Sequence, residues 1–188
     1  MSRWEPNARG RLEQAALALY LENGFEQTTV AEIATRAGLT ERTFFRHFAD
    51  KREVLFGGSA ALQGLFVRSV ADAPESASPI EAVAMAVAAA GAMFMERDKD
   101  IVRQRQAVVT AHPELREREL IKLATLAAAL ADTLRGRGVP DPDATLAAEA
   151  GIAVFRISFE RWMAEPGQSD LPRLVRDSFD KLKAVTGN

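Results

Sequence analysis

The sequence predicts an all-α protein, and three observations support that fold class. In every periodic segment the apolar residues recur at helical spacing, and no segment alternates between apolar and polar residues as a half-buried strand does. Helix starts and stops are marked by characteristic residues, such as Ser78-Pro79 before one segment and Gly24 after another. Apolar residues make up 47% of the 188 residues, which is enough for the core of one or two compact units.

The most informative segment is residues 28–52, which predicts two short helices joined by a tight turn and followed by a third helix. Thr29 and Glu32 have the three-residue spacing of a capping box at the start of the first helix. Thr40 is placed to cap the second. Gly38 stands where the first helix must end in a left-handed residue, a conformation that glycine adopts without steric cost.

The spacing of Ala34, Gly38 and Phe44 indicates how these two helices meet. Helices that cross at about 90–120° need a small residue at the contact, a turn residue without a Cβ and an apolar anchor in the second helix. This arrangement is a helix-turn-helix, whose second helix lies in the major groove of DNA. An ordinary corner between two helices of a bundle is the alternative interpretation.

The other helices follow from apolar stripes bounded by proline, glycine and capping residues. Pro113 and Asp141-Pro142 open two of them, whereas Gly136 and Pro166-Gly167 end two. With the helix-turn-helix pair they make nine helices, three followed by six. The seven helices other than the helix-turn-helix pair are predicted approximately at residues 7–23, 51–70, 79–97, 100–111, 113–135, 141–164 and 170–185.

Composition excludes several classes of protein. The chain has no cysteine, so it has neither a disulfide framework nor a thiolate metal site. The N-terminus lacks the apolar run of a signal peptide. The longest uncharged apolar run, residues 82–95, has 14 residues and is too short to span a bilayer. We therefore expect a cytoplasmic protein without a membrane partner.

The net charge of −2 at first argues against nucleic acid, but the charges are unevenly distributed. Two segments, residues 1–11 and 40–52, each carry a local charge of +2, and a small module needs only a local basic face to meet phosphates. The charges are Arg3, Arg9 and Arg11 against Glu5 in the first segment, and Arg42, Arg46, Lys51 and Arg52 against Glu41 and Asp50 in the second.

The second helix of the pair has one apolar and one basic face. With Phe44 and Phe48 facing inward, Arg42 and Arg46 point away from the core, and arginine reads guanine through its bidentate fork. Which of the two arginines reads bases and which holds phosphate stays open. The alternative is a solvated charged face.

Residues 8–55 resemble the N-terminal domain of the tetracycline-repressor (TetR) family of one-component transcription regulators. Beyond Leu55 only the length and the all-helical pattern are similar. Phe45 stands where the family usually has tyrosine, so a hydroxyl contact to a DNA phosphate is missing. The shared residues are Gly24-Phe25, Thr28-Thr29-Val30, Ile33-Ala34, Ala37-Gly38, Thr43, His47-Phe48 and Lys51.

The resemblance implies a three-helix DNA-binding domain over residues 1–50 and a six-helix ligand-binding and dimerisation domain over residues 51–188, with the helix at 51–70 linking them. It also implies that Thr40, His47 and Lys51 hold phosphates. The residues expected to contact DNA are Thr29, Thr40, Glu41, Arg42, Thr43, Phe45, Arg46, His47 and Lys51.

The resemblance further implies a small-molecule pocket and a dimer interface in the second domain. Arg103 or Arg105 could pair with a charged ligand. Plain core packing is the alternative for the pocket residues, and the subunit's own core is the alternative for the interface residues. The pocket candidates are Phe66, Met85, Phe94, Arg103 and Val108, and the interface candidates on the last two helices are Phe155, Phe159, Val175 and Phe179.

These observations predict a homodimeric regulator, most simply a repressor that a small, largely apolar molecule releases from a palindromic DNA operator. One alternative is an activator or an architectural DNA binder without a ligand. Another is an all-helical enzyme with a vestigial helix-turn-helix. The two histidines, His47 and His112, suggest no catalytic site, and no phosphate-binding glycine loop or metal-spaced His/Glu pair occurs. We expect no cofactor.

Overall fold

The structure is a computed structural model that describes residues 7–167 and 169–187. Over these residues it contains nine α-helices and no strand, which confirms the all-α prediction. Arg3 and Glu5 lie outside the described residues. The helices are α1 Ala8–Asn23, α2 Val30–Arg36, α3 Glu41–His47, α4 Ser59–Ala71, α5 Pro79–Met95, α6 Lys99–Ala111, α7 Pro113–Gly136, α8 Asp143–Ala164 and α9 Leu171–Thr186.

The helix predicted over residues 51–70 is the one that differs. A 3-10 turn occupies Glu53–Phe56, and α4 begins only at Ser59. Gly57 and Gly58 separate the two, and glycine is a poor helix former. Gly57 also lies against α1, because a Cβ at this position would be 2.0 Å from Glu13 Oε1. A residue with a Cβ at this position would therefore require the Glu13 side chain to move.

Two compact units divide the chain, and they differ from the domain boundary predicted at residue 50. The N-terminal unit contains residues 1–58 and also residues 100–119, which are α6 and the first turns of α7. The C-terminal unit contains residues 59–99 and 120–188. The functional division at residue 50 stays a prediction, whereas the packing adds a second stretch of chain to the N-terminal unit.

The core of the N-terminal unit joins both of its chain segments. Side chains of α1, α2 and α3 pack around Phe25 and Phe44, which are both fully buried. Val108, Val109 and Leu115 from the returning segment belong to the same apolar cluster. Residues 100–119 are therefore part of the body that carries the helix-turn-helix.

The C-terminal unit is organised around α5, which packs against α4, α8 and α9. Its start has a capping box, in which the Ser78 backbone N–H donates to the Glu81 carboxylate at 2.9 Å. Between α8 and α9 the buried Ser158 hydroxyl donates to the Ser178 hydroxyl at 2.9 Å, and the Ser178 hydroxyl donates to the Leu174 carbonyl at 2.7 Å, so both donors are satisfied inside the core.

Residues 53–71 have the length and apolar composition that would allow a membrane-spanning helix, as core helices of globular proteins often do. The structure breaks this stretch at Gly57 and Gly58, between the 3-10 turn and α4. The absence of a membrane partner stays a prediction.

Candidate nucleic-acid interface

The helix-turn-helix begins with the predicted capping box on α2. Thr29 Oγ1 accepts a hydrogen bond from the Glu32 backbone N–H at 3.2 Å, and the Thr29 N–H donates to Glu32 Oε2 at 2.8 Å. The hydrogen bonds from the Thr29 backbone and then from its hydroxyl lower the pKa of Glu32. The side chain expected to touch DNA is therefore also the cap that fixes the start of α2.

The turn after α2 is closed by a left-handed glycine, as predicted. Gly38 has a φ of +65°, and the Leu39 N–H donates to the Ala34 carbonyl at 2.8 Å, which is the six-to-one bond of a Schellman motif. Arg11 of α1 donates to the Ala37 carbonyl at the same turn. Sequence analysis missed this contact, because it joins residues that lie 26 positions apart.

The seven-residue helix α3 has a buried and an exposed face. Phe44 is fully buried and Phe48 is nearly so. Arg42 and Arg46 are exposed on the other side, and neither pairs with any residue in the described parts of the chain. Phe45 is 55% exposed beside them. The structure thus presents two cationic forks and one aromatic ring on a single short helix.

Thr40, Thr43 and His47 flank this exposed face. Thr40 Oγ1 accepts from the Thr43 N–H at 3.2 Å, which fixes the start of α3, and the two hydroxyls are 3.1 Å apart. His47 is half-buried, and its Nε2 has no hydrogen-bond partner among the described residues. Glu41 is exposed in the first turn of α3. The DNA contacts of these four residues stay predictions.

Lys51 has a different role from the phosphate contact expected of it. Its Nζ donates to the backbone carbonyls of Phe25, Glu26 and Thr28 at 2.9–3.0 Å. A lysine ammonium has three N–H groups, so all of its donors are used inside the protein. The Lys51 carbonyl in turn accepts from the Tyr20 hydroxyl at 2.6 Å, and burial raises the pKa of that tyrosine. Lys51 fastens the end of the helix-turn-helix to the loop after α1.

The expected pocket residues do not come together. Phe66 and Phe94 both lie in the C-terminal unit and each contacts Phe155, at ring-centroid distances of 5.5 and 6.1 Å. Met85 is 48% exposed on α5 and lines no closed core. Val108 and Arg103 belong to the other unit. Val108 is buried in the helix-turn-helix core, and Arg103 lies 3.7 Å from Asp100. The resemblance placed Val108 in a pocket of the second domain, whereas the structure places it in the core of the N-terminal unit.

The expected interface residues must also be corrected. Phe155, Val175 and Phe179 are each less than 10% exposed, because they face the core between α5, α8 and α9. They are therefore not available to a partner. Phe159 is half-buried, and its ring contacts that of Phe94 at a centroid distance of 4.9 Å. The helices could still form an interface, but through other side chains.

A capped helix, a left-handed glycine turn and a second capped helix with outward arginines define a helix-turn-helix DNA-binding protein. Comparisons with known proteins identify its family. The model for bacterial regulatory proteins of the tetR family matches residues 13–56. The model for the MftR C-terminal domain matches residues 77–187. The chain belongs to the TetR family of transcriptional regulators, with a C-terminal domain of the MftR type.

Curated relatives agree with this assignment. The chain is 39% identical over 75 residues to the HTH-type transcriptional regulator TcmR of Streptomyces glaucescens, which covers 40% of this chain and 33% of TcmR. It is 35% identical over 77 residues to the repressor KstR2 of Mycobacterium tuberculosis, and this match covers 39% of this chain and 37% of KstR2. These matches thus span only about a third of the length of each relative. MftR of M. tuberculosis, named as a candidate regulator of mycofactocin biosynthesis, is 26% identical over 92% of this chain and 88% of its own.

Solved structures show the same fold. The complex of SmeT with triclosan has a TM-score of 0.64 at 22% identity, covering 95% of this chain and 90% of that one. SmeT is the repressor of an efflux pump of Stenotrophomonas maltophilia. FadR of Thermus thermophilus in complex with lauroyl-CoA has a TM-score of 0.56 at 24% identity, and the match covers 93% of this chain and 92% of FadR.

Proposed function

We propose that the protein is a cytoplasmic transcriptional repressor that binds a palindromic DNA operator as a homodimer and releases it when a small, largely apolar molecule binds. The observation that carries this proposal is the exposed face of α3. Arg42, Phe45 and Arg46 are turned outward, while Phe44 and Phe48 anchor the opposite face. The name of KstR2 as a repressor favours repression over activation.

The first test identifies the operator. Wild-type protein is offered a pool of randomised duplexes, and bound sequences are amplified through successive rounds. We expect enrichment of a palindrome, because the two-fold symmetry of a dimer is mirrored in its half-sites. Enrichment of no sequence over the starting pool would refute the proposal.

Arginine substitutions then test the role of α3. Arg42→Ala and Arg46→Ala are compared. The variant that loses a base contact should bind the operator about 1–3 kcal/mol more weakly and should have relaxed selectivity at one base pair. The one that removes a phosphate contact should reduce the slope of log affinity against log salt by about 0.9 per half-site. Arg116→Ala is the matched control, since Arg116 is exposed on α7. If neither α3 variant differs from this control, α3 is not the reading helix.

The homodimer is proposed to use the outer face of α8. Leu146 and Ile157 lie eleven residues apart, about three helical turns, and are 63% and 45% exposed. Ala150 and Ala153 lie between them on the same side and would let a second helix approach closely. These side chains replace the buried aromatics as interface candidates. A two-fold dimer also supplies the two recognition helices that half-sites about 34 Å apart require.

Sedimentation at micromolar concentration tests this interface. Ile157→Glu should give a folded monomer with weakened operator binding, because a carboxylate would be buried without a partner. Ile121→Glu is the control, since Ile121 is 59% exposed but lies on α7. A dimeric Ile157→Glu protein would show that this face is not the interface. Wild-type protein that sediments as a monomer and still protects a whole palindrome would refute the proposed homodimer.

The effector site is proposed at the aromatic row of the C-terminal unit. Phe66, Phe155, Phe94, Phe159 and Trp162 follow one another with ring centroids 4.9–6.1 Å apart. Phe66, Phe155 and Trp162 are buried, whereas Phe94 and Phe159 are half-buried and accessible. Such a row suits an apolar or aromatic molecule, because stacked rings gain attraction beyond their buried area.

Native mass spectrometry of protein purified from its own host should reveal a bound small molecule. Phe94→Ala should lose this adduct, and Met85→Ala should retain it, because Met85 is on the same helix but outside the row. An adduct that survives Phe94→Ala and Phe159→Ala would place the molecule elsewhere. Wild-type protein free of any adduct, and unresponsive to host extract in operator binding, would favour a regulator without a ligand.

A further inference from the structure

Two stretches of chain meet in the N-terminal unit immediately after the recognition helix. Residues 50–55 follow α3, and residues 100–119 return to the same unit as α6 and the first turns of α7. Their apolar side chains share one core, as described above. Their polar side chains form a second set of contacts between the two stretches, made of ion pairs and hydrogen bonds.

The first half of this connection centres on Arg118 of α7. Its guanidinium bridges two carboxylates, with Nη1 contacting Glu53 and Nη2 lying 3.3 Å from Asp50 Oδ2. Arg52 pairs with the same Asp50 oxygen at 2.9 Å and lies 3.7 Å from Glu114, which is also on α7. Arg118, Glu53 and Asp50 each have side chains no more than 31% exposed, so solvent screens these pairs less than ordinary surface pairs.

The second half of this connection centres on Arg105 of α6. Arg105 Nε donates to the Leu55 carbonyl at 2.8 Å, and its Nη1 lies 3.2 Å from Glu119 Oε1. Gln106 donates to the other Glu119 oxygen at 3.1 Å. The Arg105 guanidinium also lies 5.0 Å from the centre of the Phe56 ring. We call the set Arg105, Glu114, Arg118 and Glu119 the clamp.

The segment that the clamp holds has little freedom of its own. Asp50 is only three residues beyond His47, the last residue of α3. Its carboxylate accepts from the backbone N–H groups of Arg52 and Glu53 at 2.8 and 3.1 Å, which fixes the turn that follows α3. A displacement of Arg118 would therefore act on a turn that is covalently and structurally joined to the recognition helix.

We propose that Arg118 is a positioning residue for α3, and that through it the segment 100–119 controls operator affinity. This inference rests on the proposed function. Arg118 and Glu114 both lie on α7, which is one helix from Pro113 to Gly136. A displacement of this part of α7 moves Arg118 and Glu114 together, and with them the Asp50 and Glu53 carboxylates of the turn that follows α3.

The test compares Arg118→Met with Arg116→Met. Both remove one positive charge from α7, but Arg116 is exposed and two residues away. Affinity is measured well below the melting temperature, on the duplex that wild-type protein selects and on a scrambled duplex of equal length. We expect Arg118→Met to lose at least about fivefold in affinity for the selected duplex. Affinity for the scrambled duplex should match that of Arg116→Met, since α3 keeps its charges.

A purely stabilising role would give a different pattern. In that case Arg118→Met would lower the melting temperature but leave the affinity for the selected duplex unchanged, and the proposal would be overturned. Glu53→Gln and the double variant Glu53→Gln/Arg118→Met complete a cycle. The proposal requires the double variant to lose no more affinity than Arg118→Met alone, because both changes break the same contact. Additive losses would contradict it.

Two further outcomes separate this inference from the function on which it rests. If wild-type protein selects no duplex, the proposed function fails. If it selects one and Arg118→Met binds it like Arg116→Met, the function stands and the inference fails. Should Arg118→Met not fold, Arg118→Lys replaces it. A lysine keeps the charge but cannot span both carboxylates as a fork does, so a loss of selected-duplex affinity is again required.

Discussion

Gly38→Ala is the substitution that most directly tests how the turn of the helix-turn-helix is built. Gly38 has a φ of +65°, and a Cβ placed on it would lie 2.7 Å from Arg11 Nη2. Arg11 uses that nitrogen to donate to the Ala37 carbonyl. Alanine therefore introduces two costs, a left-handed backbone for a residue with a Cβ and the displacement of the Arg11 guanidinium from its acceptor.

The magnitude follows from these two costs. A left-handed conformation costs a non-glycine residue about 1–2 kcal/mol. Loss of a hydrogen bond to a charged donor costs about 1.5–3 kcal/mol. Together they predict that Gly38→Ala lowers the free energy of unfolding of the N-terminal unit by roughly 2.5–5 kcal/mol. Operator affinity should fall as well, because α3 is oriented by this turn.

Amide hydrogen exchange is the appropriate assay, because it reports the opening free energy of each unit separately. Gly138→Ala is the control for backbone strain alone, since Gly138 has a φ of +88° and no atom within 4 Å of an added Cβ. It should cost its own unit only about 1–2 kcal/mol. In an Arg11→Met background, Gly38→Ala should lower the free energy of unfolding of the N-terminal unit by no more than about 1–2 kcal/mol. Equal costs of Gly38→Ala in both backgrounds would refute the role assigned to Arg11.

Two other predictions concern the turn after α3. Lys51→Met should destabilise the N-terminal unit, because it leaves three carbonyls without their donor, whereas Lys181→Met on the exposed face of α9 should not. Amide exchange rates of α1 in the two variants decide this. Burial alone would raise the pKa of Asp50, but hydrogen bonds from Arg52 and Glu53 and the charge of Arg118 hold it below its ordinary value. Because the folded pKa is the lower one, the associated stability is present above the ordinary aspartate pKa of about 3.9 and is lost as pH falls through the folded pKa. Acid unfolding of wild type and Asp50→Asn should therefore differ in slope below about pH 4, and superimposable acid-unfolding curves would contradict this reasoning.

Local signals in the sequence were sufficient for most of the fold. The capping box at Thr29, the left-handed Gly38 and the proline and glycine boundaries depend on residues close in sequence, so they fix helix ends without tertiary information. The fourth helix was predicted to start too early, although Gly57-Gly58 is itself a local signal against a continuous helix.

Side-chain roles were less predictable than helix positions. Val108 was predicted to line a pocket, and Phe155 and Phe179 to face a partner subunit, but Val108 lies in the core of the N-terminal unit and the two phenylalanines lie in the core of the C-terminal unit. Lys51 was assigned to phosphate from a family position, and its three carbonyl acceptors lie 23–26 residues away. Periodicity reveals the direction of a side chain relative to its own helix. It does not reveal what lies opposite.

The same limitation changes what the basic residues of the helix-turn-helix mean. Residues 40–52 carry four positive charges in the sequence, yet Lys51 is used by backbone carbonyls and Arg52 by Asp50 and Glu114. Only Arg42 and Arg46 are left to face outward, both on α3. Within residues 40–52, outward-facing positive charge is thus concentrated on α3, the helix proposed to enter the major groove. Since nonspecific affinity grows with the number of phosphates neutralised, we expect this arrangement to limit nonspecific binding and to leave a larger share of the affinity to base reading.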